Sequence, residues 1–410
     1  MGKEMKGYFV GPMPVGEFLQ EFLPTSQIPD YDPSSFNFVA GTFSDMISVK
    51  NEEHTYKPFM STPAHTTINT ITPFAPQLSF VDTHNHPDTQ NCSKIDSAVF
   101  NIKPDICVYP DGREPSLRNC DVSATEIIVE FKWSYSHNAF CDPSGVDSVI
   151  SRMEKGMDML GQIMSYTAAQ LSTQFHTHAF SLLIVRDRAC IIRWDREGAI
   201  VTSAIDYNNE PHLADFFHHY AQVSPEMRGV DTSVTLASNE EASIARSSLN
   251  IPNTTRMLKV DVPNAKGSGS LTLIFPQPAM KSHSPVGRWT RACPAFDLVN
   301  KKVVMFKDSW QVSLPNVLLE GETYKLLKLH KVSHIANCIA YHDVPPSIPQ
   351  QSTQTAKFGC AQWASPHLPL TPHTLHRLVL DIVGTKLTDF ESSCQLVMSV
   401  RDALIGAYLF

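Results

Sequence analysis

Apolar residues recur along this chain in two rhythms, and each rhythm predicts a different kind of element. Phe18, Leu19 and Phe22 share one face of a helix over residues 15–23, and Met153, Met157, Leu160, Met164 and Ala168 do the same along a longer helix over 146–171. Apolar runs predict strands at 106–109, 126–133, 179–185 and 189–194, with turns at Pro110-Asp111-Gly112 and Asp195-Arg196-Glu197-Gly198. A helix over 213–220 closes this block. From Met257 the pattern turns to strands at 258–262 and 270–275, then two more within 285–307 around Asn300-Lys301. A helix at 319–329, a strand at 375–383 and a helix from Cys394 to Phe410 follow. Residues 61–87 are Thr- and Pro-rich with few periodic runs, residues 233–255 are polar, weakly patterned and read as a connection, and residues 345–357 form a Pro-, Gln-, Ser- and Thr-rich insert. No internal repeat is present.

This order predicts a chain of α+β or α/β class. A mixed sheet with flanking helices is expected over 1–230, its core at about 95–220, then a linker over 231–256 and an antiparallel sheet with one helix over 257–410. Composition is that of a globular protein, with 42% hydrophobic and 18% charged residues. The net charge of -8 argues against broad, non-specific nucleic-acid binding and leaves a local basic groove open. Nine cysteines form no Cys-x-x-Cys pair, and the N-terminus has no apolar secretory stretch, so reduced thiols in a cytosolic or nuclear compartment are expected. No run reaches the roughly 18 apolar residues of a membrane span.

One constellation lies in the first half. Asp105 opens a strand, Glu130 and Lys132 close another about 25 residues later, and the following helix presents Gln162 and Tyr166. Alternation puts Glu130 and Lys132 on one strand face. Asp105 and Glu130 could then bind Mg²⁺ while Lys132 activates water or steadies a phosphate. The order of Asp, Glu-x-Lys and helix Gln resembles the PD-(D/E)xK nuclease superfamily, which implies metal-dependent nucleic-acid binding or cleavage. The alternative is an ordinary surface pair with Asp105 capping a turn. His84 and His86, and His176 and His178, are spaced i, i+2, but nothing completes a zinc set around either pair. His218-His219 reads as a pair on a helix surface.

A second constellation lies beyond residue 285. Val286-Gly287-Arg288-Trp289-Thr290-Arg291 stands where a phosphate-covering loop belongs, although one glycine does not make a G-x-G-x-x-G. Lys307 ends an apolar strand, and Glu322 lies on the next helix, with Glu320 competing for its role. A strand lysine on the α- and β-phosphates, oriented by a helix glutamate, is the kinase pairing. These residues, together with Lys307-Asp308-Ser309-Trp310, Arg377-Leu378-Val379 and Gly384-Thr385-Lys386-Leu387, resemble the fungal-type protein kinase family of basidiomycetes and related fungi. Lys103-Pro104-Asp105, Gly161-Gln162 and Arg193-Trp194-Asp195-Arg196 extend the resemblance into the first half.

The resemblance implies a kinase-like N-lobe that binds ATP. Lys307 would contact phosphate, Glu322 would pair with it, Val286 and Gly287 would roof the nucleotide, and residues 378–383 would line the adenine pocket. Asp308 would cap or sit in a loop. No His-Arg-Asp or Asp-Phe-Gly string occurs in the 410 residues, so the expectation is a chain that stops before the catalytic loop, with no complete phosphotransfer site. Val397, Val400, Leu404, Tyr408 and Leu409 on the last helix would then stay partly uncovered, a surface for a protein partner. A non-catalytic interaction protein is the remaining alternative.

Overall fold

A computed structural model of the chain describes residues 5–60, 71–91, 101–115, 119–141, 148–264, 269–278, 284–344 and 351–408. The expected start of the long helix at Val146, parts of the expected connections (61–70 and 345–350) and the end of the last helix lie outside the described residues. The chain forms two compact units, each with its own sheet. One comprises Met1–Asp231, Pro278–Gly287 and Thr353–Pro372, the other Thr232–Gln277, Arg288–Ser352 and His373–Phe410.

The first unit contains β1 (Phe9–Met13), α1 (Val15–Phe22), α2 (Ser44–Ile47), α3 (Tyr56–Met60), β2 (Leu78–Asp82), β3 (Ile106–Pro110), β4 (Ile127–Lys132), α4 (Glu154–Thr173), β5 (Ala179–Val185), β6 (Arg188–Trp194), β7 (Ala199–Thr202) and α5 (His212–Gln222). Its seven strands run in the order β1-β7-β6-β5-β4-β3-β2. The pairs β1/β7 and β4/β5 are parallel, and the others are antiparallel. Every residue of β5 is buried, because alternate side chains face opposite layers. Leu183 and Val185 pack with Leu160, Ile163 and Met164 of α4. Phe180 meets Phe216 and Tyr220 of α5 on the other side. A sheet covered on both faces explains why its strands read as continuous apolar runs.

The second unit contains β8 (Val234–Leu236), α6 (Asn239–Leu249), β9 (Met257–Pro263), β10 (Ser270–Pro276), β11 (Thr290–Asp297), β12 (Lys302–Val312), α7 (Glu320–Leu329), β13 (Cys338–Asp343), β14 (His373–Leu380) and α8 (Ser393–Tyr408). Its seven strands follow the order β13-β14-β12-β11-β10-β9-β8. All of these pairs are antiparallel. The sheet curls enough for Asn264 to bridge Ala340. Residues 233–255, read as connection, hold β8 and α6. Ser238 and Glu241 form a capping box at the start of α6, and left-handed Asn250 ends it. On the described part of α8, Val397, Val400 and Leu404 are exposed, as expected of that face. No helix among the described residues is long and apolar enough to cross a membrane.

Residues 353–372 separate β13 from β14 in sequence yet belong to the first unit. They are held there through Asp195, which is 1% exposed. Its carboxylate pairs with buried Arg193 at 3.0 Å and accepts from the amides of Glu197, Gly198, Gln354 and Thr355 and from the Thr355 hydroxyl. Glu197 accepts from the Ala356 amide at 2.9 Å. Removing one partner of such a buried pair leaves the other uncompensated, so Asp195→Ala is expected to cost about 3–5 kcal/mol of stability in chemical denaturation. A near-zero change would show that the segment docks without it.

Candidate functional site

In the first unit the sequence-predicted residues converge. Asp105 immediately precedes β3, Glu130 and Lys132 lie on β4, and Gln162 lies on α4. All four line one cleft of about 260 Å³. Lys132 Nζ is 2.8 Å from Glu130 and 3.8 Å from Asp105. Gln162 Nε2 donates to Glu130 Oε1 at 2.6 Å, and its other contact is the Tyr166 hydroxyl at 2.8 Å. Tyr166 in turn donates to the Lys103 carbonyl at 2.8 Å. The Phe131 amide fixes Asp105 Oδ2 at 2.8 Å.

Glu52 and Tyr56, which sequence reasoning missed, line the same cleft, and so does His84, read in the sequence only as a partner of His86. Glu52 approaches Lys132 at 3.3 Å, and Tyr56 donates to Asp105 at 2.9 Å. Glu52 comes from a short turn, Tyr56 from the first residue of α3 and His84 from the turn after β2, in polar stretches where no periodicity marks them. The spacing Glu52-x-x-x-Tyr56 becomes meaningful only once α3 is seen to begin at Tyr56 beside β4.

The electrostatics follow from burial. Glu130 is 1% exposed, and desolvation with the neighbouring Asp105 charge pushes its carboxyl up to about 8, against the pull of Lys132. Burial also raises Asp105, with Lys132 and the Phe131 amide opposing. Burial works against the Lys132 charge, but Glu130 and Asp105 outweigh it and hold the ammonium above its ordinary range. Glu130 Oε2 is buried without a hydrogen-bond partner among the described residues. No group of three His, Cys, Asp or Glu side chains among the described residues is placed to hold a metal ion. Mg²⁺, however, commonly takes one or two carboxylates and completes its shell with water and phosphate oxygens. Asp105 and Glu130 fit that donor set, and the idle Oε2 is the atom such a cation would use.

In the second unit, Lys307 lies mid-strand on β12, opposite Ala292 of β11 and Leu378 of β14. Its ammonium is 2.6 Å from both carboxylate oxygens of Glu320, the first residue of α7. Glu320 is steadied by its own amide, which donates to Gln311 Oε1 at 2.9 Å. The pairing expected of Glu322 is therefore made by Glu320. Two residues further along a helix turn through about 200°, so Glu322 points elsewhere, to Lys325 and the Tyr341 hydroxyl, each at 2.9 Å. Gly321 lets this helix approach β13, since a Cβ there would meet the Tyr341 ring at 2.1 Å.

Other expectations need correction. Asp308 neither caps nor lies in a loop. It points from β12 to the opposite side from Lys307 and forms a buried pair with Arg377 at 3.2 Å. Val286 packs into the core of the first unit, and the Gly287 amide donates to the Arg196 carbonyl at 2.8 Å. Both belong to the first unit and not to the fold that carries Lys307. His218 and His219 are buried, because the N-terminal stretch covers α5. Their Nδ1 atoms meet the carbonyls of Phe74 and Leu23. His178 is likewise buried, with Nε2 at the Met227 carbonyl.

The arrangement is kinase-like in its lysine–glutamate pair, and the comparisons agree with that class. The family model described as Fungal protein kinase matches residues 146–408, and the chain belongs to that family. Kinases of this kind use ATP and Mg²⁺. No curated protein and no solved structure matches the chain. The match includes Gln162, Lys307 and Glu320, whereas Asp105, Glu130 and Lys132 lie before it.

The raised Glu130 pKa has a testable sign. The native state holds a proton that the unfolded chain releases above its ordinary value of 4.5, so stability from this group is full below that value and is lost as pH rises through about 8. Glu130→Gln should therefore gain stability relative to the wild type as pH is raised across that window. Parallel stability curves in urea titrations would sink the assignment.

Proposed function

We propose that the second unit grips the phosphates of ATP through Lys307, oriented by Glu320. What carries this reading is the 2.6 Å pair between a mid-strand lysine and the first residue of the following helix, in a chain of a protein kinase family. The two side chains are 23% and 21% exposed, so phosphate oxygens can reach the ammonium. Residues 378–383, running from buried Leu378 to exposed Ile382, would serve the adenine as the hinge. Phosphoryl transfer also needs an aspartate that orients the acceptor hydroxyl and one that holds Mg²⁺. Neither a His-Arg-Asp nor an Asp-Phe-Gly string is among these 410 residues, and the role proposed for them is nucleotide binding.

Mg-ATP is expected to raise the melting temperature, by an amount corresponding to about 2.7 kcal/mol at a hundredfold excess over Kd. Lys307→Met should abolish the shift, Glu320→Gln should reduce it, and Glu322→Gln should leave it intact. A full shift in the Lys307→Met chain would remove the proposal.

A second reading is favoured by the unpartnered Glu130 Oε2 in the first unit. Asp105 and Glu130 would hold a divalent cation there, with Gln162 fixing Glu130 and Lys132 steadying a phosphodiester or a water. When bound, the cation would supply charge neutralisation and lower the pKa of attached water. Carboxylate ligands must be deprotonated to bind, so Mn²⁺ affinity should rise as pH increases through about 8 and be lost in Asp105→Asn. Electron paramagnetic resonance titration reads this directly. Labelled DNA or RNA cleaved equally by the wild type and Lys132→Ala would rule out nuclease action at this cleft.

A further inference from the structure

A larger cleft, of about 650 Å³, lies within the second unit between α7, the turn after it and β13. Its floor is apolar, with Leu271, Leu327, Val332 and Ile339. Among the described residues four lysines line it, namely Lys302, Lys325, Lys328 and Lys331, and no aspartate or glutamate does. Lys325 is committed to Glu322 at 2.9 Å and lies over the Tyr341 ring. Lys302, Lys328 and Lys331 make no ion pair among the described residues. The cleft is thus positive around an oily base, in a chain whose net charge is -8.

Lysines near the end of a helix complement its dipole, and that accounts for Lys328. It does not account for Lys302, which comes from the start of β12 and faces the same space. Nor does it account for the conformation of Lys331. The Lys331 amide bonds to the Lys328 carbonyl and the Val332 amide to the Leu327 carbonyl, a Schellman ending. Lys331 therefore occupies the left-handed position, at φ +53°, where glycine is the usual choice. Convergence from two elements, one of them in a strained conformation, indicates a use for the charge beyond the helix end.

We propose that this cleft docks an acidic peptide segment of a partner protein, which inserts one apolar side chain between Leu271 and Leu327 while its carboxylates meet Lys302, Lys328 and Lys331. The volume lies in the range of sites that enclose a drug-sized group and exceeds what a simple anion fills. The apolar floor favours a side chain, and lysines set among otherwise neutral lining residues select acidic flanks. This goes beyond nucleotide binding and does not rest on it.

The test uses the full chain and a fluorescein-labelled peptide with one Phe between pairs of Glu, read by fluorescence anisotropy. Saturable binding is expected, weakening with salt, and Lys328→Glu with Lys331→Glu should weaken it at least about tenfold. Lys328→Gln with Lys331→Gln, confirmed folded by its melting curve, should weaken it in the same direction. Lys307→Met should bind the peptide like wild type, so a failed ATP shift and a failed docking site give different results. The proposal is overturned by any of four outcomes: no saturable binding to folded wild-type protein, equal binding by the charge-reversed chain, equal binding of a Lys-flanked peptide, or self-association in sedimentation that the charge reversal abolishes.

Discussion

A charge withdrawn from water must find partners for every lone pair and proton it brings, and this requirement organises the first unit. Asp195 meets it in full. Buried Arg193 neutralises it, and backbone amides from the turn at Glu197-Gly198 and from the segment at Gln354-Thr355 fill its remaining sites. A carboxylate so completely satisfied has nothing left to offer a ligand, and its role is to hold distant stretches of chain together. Glu130 is as deeply buried but incompletely satisfied. One oxygen receives Gln162 and Lys132 and the other receives nothing among the described residues. On the second reading proposed above, that unfilled oxygen is the one a cation would meet.

The same distinction explains what the sequence disclosed. β3, β4, β5 and β6 were legible because a sheet covered on both faces demands unbroken apolar runs, and α4 because Met157, Leu160, Met164 and Ala168 recur at helical spacing. Asp105, Glu130, Lys132 and Gln162 were legible because strand alternation and the strand-to-helix order fix their direction before any fold is known. The place of Glu52, Tyr56 and His84 in this cleft was not. They reach the cleft from polar turns whose place depends on α3 packing beside β4, a tertiary outcome with no local period. α6 was missed despite Ser238 and Glu241 in capping-box spacing, because only Ala242 and Ala245 on it are buried and the apolar stripe is faint. The choice between Glu320 and Glu322 turned on where the helix begins, and helix ends are the least determined feature of a pattern.

Chain order and spatial unit do not coincide in this protein. Residues 278–287 and 353–372 leave the second sheet in sequence and join the first unit. The family match likewise begins at residue 146 and runs through α4 and β5 into the second unit. A division drawn at one linker therefore misassigns Val286 and Gly287, whose composition suits a loop over phosphate, although Val286 packs on the core around Phe9 and Trp194 and the Gly287 amide donates to the Arg196 carbonyl. Short apolar segments carry little record of which core they join, since the hydrophobic effect rewards burial without regard to partner.

The two lysine centres differ in a way that fixes what each can accept first. Among the described residues Lys307 pairs with one carboxylate, and it is nearly a quarter exposed, so the pair is neutral and open. An anionic phosphate can displace part of Glu320's hold with little electrostatic barrier. Lys132 stands among Glu52, Asp105 and Glu130 and is 14% exposed. With those carboxylates ionised the cluster is net negative, and a phosphodiester approaching it would be repelled. Protonation of Glu130 relieves part of that charge only below about pH 8, and a protonated carboxyl is a poor cation ligand. On the proposed readings, the first cleft must therefore lose a proton and take up a cation before it can attract phosphate, whereas the second can take up nucleotide with its lysine already in place.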